Sequence, residues 1–202
     1  MVRRPRLVAG LGNPGSAYAD TRHNIGFRAV EALAFRSGIP FSREEPTLRW
    51  GRGRIAEIDT VVAEPLDFMN RSGPPLRELL ERMGIDVADA IVVHDDLDLE
   101  FGRIKIKAKG GHGGHKGVQS VMDAFGSGDF SRVRMGIGRP PSGKTVVDHV
   151  LDEFAPEEIR ELDPFVARGR DAVEAILRKG TGESMNAFNR KLRMEAKQSW
   201  NS

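Results

Sequence analysis

The chain has 202 residues, of which 39% are hydrophobic and 30% are charged, an ordinary balance for a globular protein with one sizeable core. No apolar run approaches the roughly 18 residues that cross a bilayer, which argues against a membrane protein. The sequence contains no cysteine, so a disulfide framework and a thiolate zinc site are excluded as well. We therefore expect a single domain over residues 1–202 that is located in the cytoplasm.

Apolar periodicity and turn residues divide the chain into alternating strands and helices. A buried strand at 6–11 ends in a Gly/Asn/Pro run, and a helix follows around 27–34. Further strands are predicted at 48–58, 60–63, 90–93, 103–109 and 132–137, and further helices at 74–83, 117–125 and 156–179, the last as one long helix or a pair. The alternation predicts an α/β class with a mixed, mostly parallel sheet. The polar end of the chain, from about 192, is expected to fray.

A basic run lies in the middle of a chain whose formal net charge is only +2. Basic or histidine residues crowd a stretch that holds no acidic residue, and they are Lys105, Lys107, Lys109, His112, His115 and Lys116. Such a run is either a solvated face or a phosphate-binding strip. Charge alone leaves both interpretations open.

Two short motifs match nucleotide-binding patterns on paper only. Residues 10–15 satisfy G-x-G-x-x-G, but Pro14 removes an amide donor and the helical pattern begins too late to meet a pyrophosphate. Residues 138–145 satisfy the P-loop pattern, but Pro140 and Pro141 have no N–H to offer a phosphate. We interpret the second segment as an exposed loop and predict no nucleotide cofactor at either.

No cluster in the sequence has convincing metal-ligand spacing. Asp96, Asp98 and Glu100 alternate as in a calcium loop, but the sixth and twelfth positions of that loop hold Phe101 and Lys107 instead of Gly and Glu. Most histidines also lack an identifiable ligand partner, and we expect structural roles for His94, His112, His115 and His149. The sequence therefore predicts no metal site.

Polar residues of unusual type concentrate in four segments, 12–24, 65–73, 93–98 and 109–116. The first and third begin where predicted strands end. Because open α/β sheets bind ligands beyond the carboxyl ends of their strands, these segments are well placed for a shared site. The sequence has no G-x-S-x-G and no H-E-x-x-H motif, so neither a nucleophile elbow nor a zinc-protease helix is predicted.

Five motifs lie in these segments and beside them: GLGNPGSAYADTRHNIGF, EPLDFMNRSG, VVHDDLDLEFGRIKIK, GGHGGHKGVQS and FSRVRMGIGRP. In this order, across about residues 7–140, they resemble the bacterial-type peptidyl-tRNA hydrolases, and the helical tail with its VLDEF entry is similar too. The resemblance implies one α/β globule with a mixed sheet surrounded by helices, acting as a monomer without cofactor or metal. It also implies hydrolysis of the ester that joins a peptide to tRNA, which recycles peptidyl-tRNA in translation.

The resemblance implies a catalytic set of three side chains. His23 matches the base, Asp95 matches the carboxylate that holds it, and Asn13 matches the amide beside the reacting carbonyl. An alcohol leaves readily enough for attack by activated water, and histidine, with an unperturbed pKa of about 6.5, is a natural base for that water. An acid on the other ring nitrogen fixes the tautomer, and an uncharged amide can donate to the oxyanion. The alternative for Asp95 is a turn or helix cap.

The remaining matched residues are implied to bind substrate. Met69 and Asn70 match the peptide-binding pair, and the alternative for Asn70 is to satisfy loop backbone. Lys107 and Arg134 match the clamp on the tRNA 5′ phosphate, and Lys105 belongs to the same basic strip.

Two further residues have less defined roles. Tyr18 either stacks on a base or simply packs against the protein. Lys116 occupies a position where the family commonly has an Asn that holds peptide and water, so it either donates a hydrogen bond in that place or reaches a phosphate. This departure keeps open a second function, a non-catalytic RNA-binding protein on the same fold. A third, an amidase acting on small peptides, does not explain the basic strip.

Overall fold

A seven-stranded sheet organises the computed structural model, which describes residues 4–190. The strands are β1 (Arg6–Gly10), β2 (Arg43–Glu45), β3 (Leu48–Ile55), β4 (Ile58–Pro65), β5 (Ala90–Asp96), β6 (Ile104–Lys107) and β7 (Ser131–Gly136). Their order across the sheet is β2-β3-β4-β1-β5-β7-β6. The central strands β4, β1, β5 and β7 are parallel, and antiparallel pairings add β3 with β2 at one edge and β6 at the other. The predicted class, a mixed and mostly parallel α/β sheet, is confirmed.

Helices cover both faces of this sheet. They are α1 (Ile25–Arg36), α2 (Gly73–Met83), α3 (Lys116–Phe125), α4 (Val146–Leu151), α5 (Pro156–Ile159), α6 (Leu162–Lys179) and α7 (Thr181–Phe188). The predicted helix at 156–179 is thus a pair, and β2, α4 and α7 were not predicted. None of the helices within residues 4–190 combines the length and the apolar character that crossing a membrane requires. The end of the chain that was predicted to fray lies outside the described residues.

Two hydrophobic cores lie on the two faces of the sheet, because successive side chains of a strand point in opposite directions. In β1, Val8 packs with the apolar faces of α1 and α6, whereas Leu7 and Ala9 pack with α2 and α3. All three residues are fully buried. The central strands therefore form a rigid base from which the loops at their carboxyl ends extend.

Two glycines let α1 approach those strand ends closely. A Cβ on Gly26 would lie 2.4 Å from the carbonyl oxygen of Val93 and 2.5 Å from that of Leu11, and a Cβ on Gly10 would lie 2.6 Å from the carbonyl oxygen of Gly26. Only residues without a side chain fit this contact. The short helical turn Arg22–Asn24, which precedes α1, is thereby held against the ends of β1 and β5.

The two nucleotide-like motifs both lie in connecting segments. The chain leaves β1 after Gly10 and does not enter α1 until Ile25, so no long helix opens at the first motif. Residues 138–145 form a mostly exposed loop between β7 and α4, as predicted.

Candidate active site

The four polar segments meet around one cleft of about 650 Å³ beyond the carboxyl ends of the parallel strands. All but one of the predicted site residues line it, namely Asn13, Tyr18, His23, Met69, Asn70, Asp95, Lys107, Lys116 and Arg134. Lys105 is the exception, and it lies on β6 directly opposite Arg134. The sequence prediction that distant segments share one site is therefore consistent with the fold.

The Nδ1 of His23 is hydrogen-bonded to the Oδ1 of Asp95 at a distance of 2.9 Å. The His23 side chain is 13% exposed, so its edge reaches the cleft, whereas that of Asp95 is only 2% exposed. Burial on its own raises the pKa of Asp95, but the imidazoles of His23 and His115 outweigh it and hold that pKa well below its usual range. The ionised carboxylate can only accept, so Nδ1 of His23 carries a proton, and in the neutral form of the ring Nε2 has the free lone pair.

His115 binds the same carboxylate oxygen through its Nε2, at 2.8 Å. Its Nδ1 accepts hydrogen bonds from the backbone N–H groups of Gly117 and Val118 at 3.1 and 3.2 Å, as the N-cap of α3. Nδ1 must therefore be unprotonated, and Nε2 donates to Asp95. The sequence predicted a structural role for His115 and did not predict its hydrogen bond to Asp95, which forms because the start of α3 meets the end of β5. We call Asn13, His23, Asp95 and His115 the histidine corner.

The other histidines have structural contacts. The Nδ1 of His94, which is fully buried, donates to the backbone oxygen of Asp95 at 2.6 Å, and its burial lowers its pKa well below the usual value. His149 contacts the carbonyl oxygen of Gly138 at 3.1 Å, and His112 accepts from the N–H of Gly114 at 3.1 Å. The structural roles of these three histidines stay predictions, and His94 and His112 also line the cleft.

His23, Asp95 and His115 are residue types that can hold a metal ion, and one nitrogen or oxygen atom from each lies within 4.8 Å of the others. Both imidazole nitrogens, however, are at hydrogen-bonding distance from a single carboxylate oxygen. Two N–H donors on one ionised acid account for this arrangement without an ion.

The orientation of the Asn13 side-chain amide is fixed by hydrogen bonds. Its Oδ1 accepts the backbone N–H of Met69 at 2.8 Å. Its own backbone N–H and C=O bind the side chain of Asn24, at 2.8 and 2.9 Å. Because Oδ1 is occupied, Nδ2 is the amide group that remains to donate into the cleft. Asn24 was not identified from the sequence, and it ties Asn13 to the turn that carries His23.

Arg22 connects the same turn to the wall of the cleft. Its side chain is only 8% exposed and donates to the carbonyl oxygen of Glu153 at 2.7 Å and to the carboxylate of Glu158 at 2.6 Å. Its backbone N–H also donates to the oxygen of Asp152 at 3.0 Å. These acceptors follow α4, so the position of that helix is linked to the position of His23.

One side of the cleft is apolar. Phe68 and residues of α4 line it, and Phe68, Val146, Val147 and Leu151 are unusually exposed large hydrophobic side chains at 36–56%. Met69 is buried beneath them, and Asn70 is exposed at the rim. A group of exposed apolar side chains in the lining of a cleft suits an apolar ligand group.

Another side of the cleft is cationic. In the antiparallel pair β6–β7, Lys105 stands opposite Arg134 and Lys107 stands opposite Arg132. We call these four residues the cationic ribbon. Burial, together with Arg134, Arg132 and Lys105, lowers the pKa of Lys107. Directly opposed like charges destabilise a strand pair, which makes the ribbon a favourable place for an anion.

The members of the cationic ribbon differ in their partners. Arg134 is hydrogen-bonded to Asp96. Arg132, which was not predicted, is 2% exposed and donates to the carbonyl oxygens of Gly110 and Gly111, so it fixes the glycine-rich loop. Within residues 4–190, neither Lys107 nor Lys116 forms an ion pair with a carboxylate. These two lysines therefore offer the least compensated charge in the cleft.

Several known proteins with similar sequences and structures are peptidyl-tRNA hydrolases. A family model for peptidyl-tRNA hydrolase matches residues 7–197. The peptidyl-tRNA hydrolase of Syntrophotalea carbinolica is 43% identical over 187 residues, which cover 93% of this chain and 98% of the relative. That of Bacillus subtilis is 41% identical over 186 residues, which cover 92% and 99%. A crystal structure of the enzyme from Acinetobacter baumannii has a TM-score of 0.85 and 36% identity, and the match covers 92% of this chain and 95% of that one.

Proposed function

The chain belongs to the peptidyl-tRNA hydrolase family, and from this premise we propose that His23 activates the water with which it hydrolyses peptidyl-tRNA. The bond that is cleaved is the ester between the peptide carboxyl group and a ribose hydroxyl at the end of tRNA. The observation that carries the assignment of His23 is its 2.9 Å hydrogen bond to Asp95 at the edge of a cleft lined by cations.

The proton movements follow from the tautomer of His23. Nε2 takes a proton from water as the water oxygen attacks the ester carbonyl carbon. The protonated ring, held by Asp95, then gives that proton to the ribose oxygen as the carbon–oxygen ester bond breaks. Free peptide and tRNA leave, and His23 is neutral again. A positioned general base contributes roughly 10²–10⁴-fold to such a reaction.

Asn13 stabilises the charge that develops on the carbonyl oxygen. Its Nδ2 is the donor left free when Oδ1 accepts from Met69, and Asn24 fixes its backbone. An amide keeps its donor at every pH and carries no charge that would hinder a carboxylate product from leaving. In a serine protease, removing one comparable side-chain donor costs about 2.7–4 kcal/mol.

The two sides of the cleft bind the two halves of the substrate. Met69, Asn70 and the apolar wall hold the peptide, and Tyr18 stacks on a base near the end of the tRNA. Lys105, Lys107 and Arg134 hold the 5′ phosphate. Lys116, at the first position of α3, adds a cation for a phosphate in place of the amide common in the family.

An assay with an N-acetyl-aminoacyl-tRNA separates this function from its two rivals. Hydrolysis with multiple turnovers is expected, together with tRNA binding that weakens as salt rises. Binding of tRNA without turnover would instead favour a non-catalytic RNA-binding protein. Cleavage of small peptide amides without cleavage of the tRNA ester would favour an amidase.

We also propose that the protein acts as a cytoplasmic monomer that binds no membrane. The lack of cysteine and the nature of the substrate support this location. Light scattering after size-exclusion chromatography should give the mass of one chain, and sedimentation with lipid vesicles should leave the protein in the supernatant. A stable dimer or co-sedimentation would contradict the respective part of the proposal.

A further inference from the structure

The strand that carries Lys105 and Lys107 lies at the outer edge of the sheet. Among the strands of residues 4–190, β6 pairs only with β7, and it has four residues. In an antiparallel pair, alternate residues direct their N–H and C=O groups toward the partner strand, and the residues between them direct these groups outward. The outward groups of such an edge need another partner.

Asn189 supplies that partner for the residue between the two lysines. Its Oδ1 accepts the backbone N–H of Ile106 at 2.7 Å, and its Nδ2 donates to the carbonyl oxygen of Ile106 at 3.0 Å. One carboxamide thus reproduces the pair of hydrogen bonds that a further strand would make. The contact spans 83 positions of sequence.

The amide is itself rigidly placed. Asn189 follows α7 directly, and its backbone N–H donates to the carbonyl oxygen of Met185 at 3.0 Å, which continues the last turn of that helix. At the other end of α7, the hydroxyl groups of Thr181 and Ser131 are 2.6 Å apart. Ser131 begins β7 beside Arg132. The helix therefore contacts both strands of the cationic ribbon, one at each of its ends.

The cationic ribbon needs such support more than an ordinary strand pair does. Lys107 faces Arg132, and neither forms an ion pair with a carboxylate within residues 4–190, so this pair repels and favours separation of β6 from β7. Lys105 faces Arg134, whose charge Asp96 partly offsets, so the repulsion there is weaker. The inward face of β6 is held by Ile104 and Ile106, which are buried in the core. The outer backbone edge of β6 at Ile106 is held by Asn189.

We propose that Asn189 is a positioning residue for tRNA binding, because its carboxamide keeps β6 in place so that Lys105 and Lys107 face the phosphate. The inference rests on the proposed phosphate-binding role of the cationic ribbon. It assigns to α7, which lies outside the cleft, a share in substrate affinity and none in the chemical step.

The test compares N189A with two control variants on the same helix. N186A removes an exposed amide that has no hydrogen-bonding partner within residues 4–190. S184A removes the hydrogen bond of a buried hydroxyl to the oxygen of Gly180, and so weakens α7 without touching β6. Each enzyme is assayed on N-acetyl-aminoacyl-tRNA with a 5′ phosphate and with a 5′ hydroxyl. Exchange of the Ile106 amide hydrogen is followed by NMR.

For N189A we expect KM on the 5′-phosphorylated substrate to rise about three- to ten-fold, kcat to stay within about two-fold, and the effect to shrink on the 5′-hydroxyl substrate. Exchange at Ile106 should accelerate, and both controls should keep wild-type KM. The inference would be overturned if the KM of N189A were unchanged or rose equally on both substrates. A matching rise of KM in S184A, or unchanged hydrogen exchange at Ile106, would overturn it as well. If N189A does not fold, N189Q replaces it, because Gln places the amide one methylene farther out. N189Q should show the same rise of KM on the 5′-phosphorylated substrate. A wild-type KM in N189Q would overturn the inference.

The variant K107A, measured in parallel, separates this inference from the proposed function. If K107A raises KM and N189A does not, the role of Asn189 falls while the phosphate-binding role of the cationic ribbon stands. If K107A leaves KM unchanged on both substrates, the phosphate-binding role itself falls and the inference falls with it.

Discussion

The histidine corner and the cationic ribbon use charge in opposite ways. In the corner, one buried carboxylate of Asp95 accepts from two imidazoles, and each imidazole has a single possible tautomer. In the ribbon, like charges face each other and Lys107 has no carboxylate partner in the part of the chain that the structure describes. Proton transfer is fastest when the acid and base groups are already held in position, whereas anion binding needs cationic side chains whose charge no carboxylate neutralises. Substitutions in the corner should therefore change kcat, and substitutions in the ribbon should change KM.

The largest effect is expected for D95N. The Asn amide carries no negative charge, and it can turn its NH2 group instead of its oxygen toward His23, so His23 loses its fixed tautomer and the stabilisation of its protonated form. We expect kcat to fall about 10³–10⁴-fold with little change in KM, by analogy with the equivalent change in a catalytic triad. Steady-state kinetics on N-acetyl-aminoacyl-tRNA measures this. D98N, which changes an exposed acid on the same loop, should stay within about two-fold, and a D95N enzyme that keeps most of its kcat would break the comparison.

A smaller loss of kcat is expected for H115N. Asn is a good N-cap, so it can replace the acceptor of His115 at the start of α3 while it loses the hydrogen bond to Asp95. A hydrogen bond to a charged group is worth roughly 1.5–3 kcal/mol, so kcat should fall about 10- to 100-fold with KM unchanged.

H115A separates this role of His115 from helix capping. That variant loses the cap as well, and should lose about 1 kcal/mol of stability beyond H115N in urea unfolding. If H115N retained the full kcat and only H115A were impaired, His115 would be a helix cap and nothing more.

The comparison also shows what the sequence could and could not predict. Asn13 and His23 lie after the end of β1, and Asp95 lies at the end of β5. Because parallel strands bring their carboxyl ends together, the proximity of these three residues was predictable. His115 and Asn24 were missed because their partners are set by how α3 and α1 dock on the sheet.

The unpredicted elements have local causes. β2 has three residues, and α4 has six and follows a Pro/Gly loop. Neither is long enough to show the apolar periodicity from which a strand or helix is predicted. The bond between Asn189 and Ile106 joins a helix end to a strand edge, and no local pattern encodes it.

For the cationic ribbon, K107A and R134A should raise KM about ten-fold and leave kcat nearly unchanged. Each substitution should also reduce the slope of binding against salt by about one, because one cation fewer displaces counterions. K109A, which removes an exposed lysine near the same strand but outside the cleft lining, is the matched control and should keep KM within about two-fold. If K107A lost kcat with KM unchanged, Lys107 would take part in the chemical step, and the corner and the ribbon would not differ in function.

The smallest effect is expected for K116N, which restores the residue common in the family. If Lys116 holds a phosphate, KM should rise about two- to three-fold at low salt, and the difference should fade as salt rises. Kinetic measurements at two salt concentrations test this. A change that persists equally at both would assign Lys116 to hydrogen bonding with the peptide.

The central claim is that His23 moves the proton and contributes little to binding. The most direct measurement is single-turnover hydrolysis of N-acetyl-aminoacyl-tRNA by H23A at saturating enzyme, with tRNA affinity measured on the same preparation. The account predicts a rate at least about 10²-fold below wild type together with wild-type affinity. Hydrolysis at a rate near that of wild type, or a loss that follows from weaker binding alone, would contradict it.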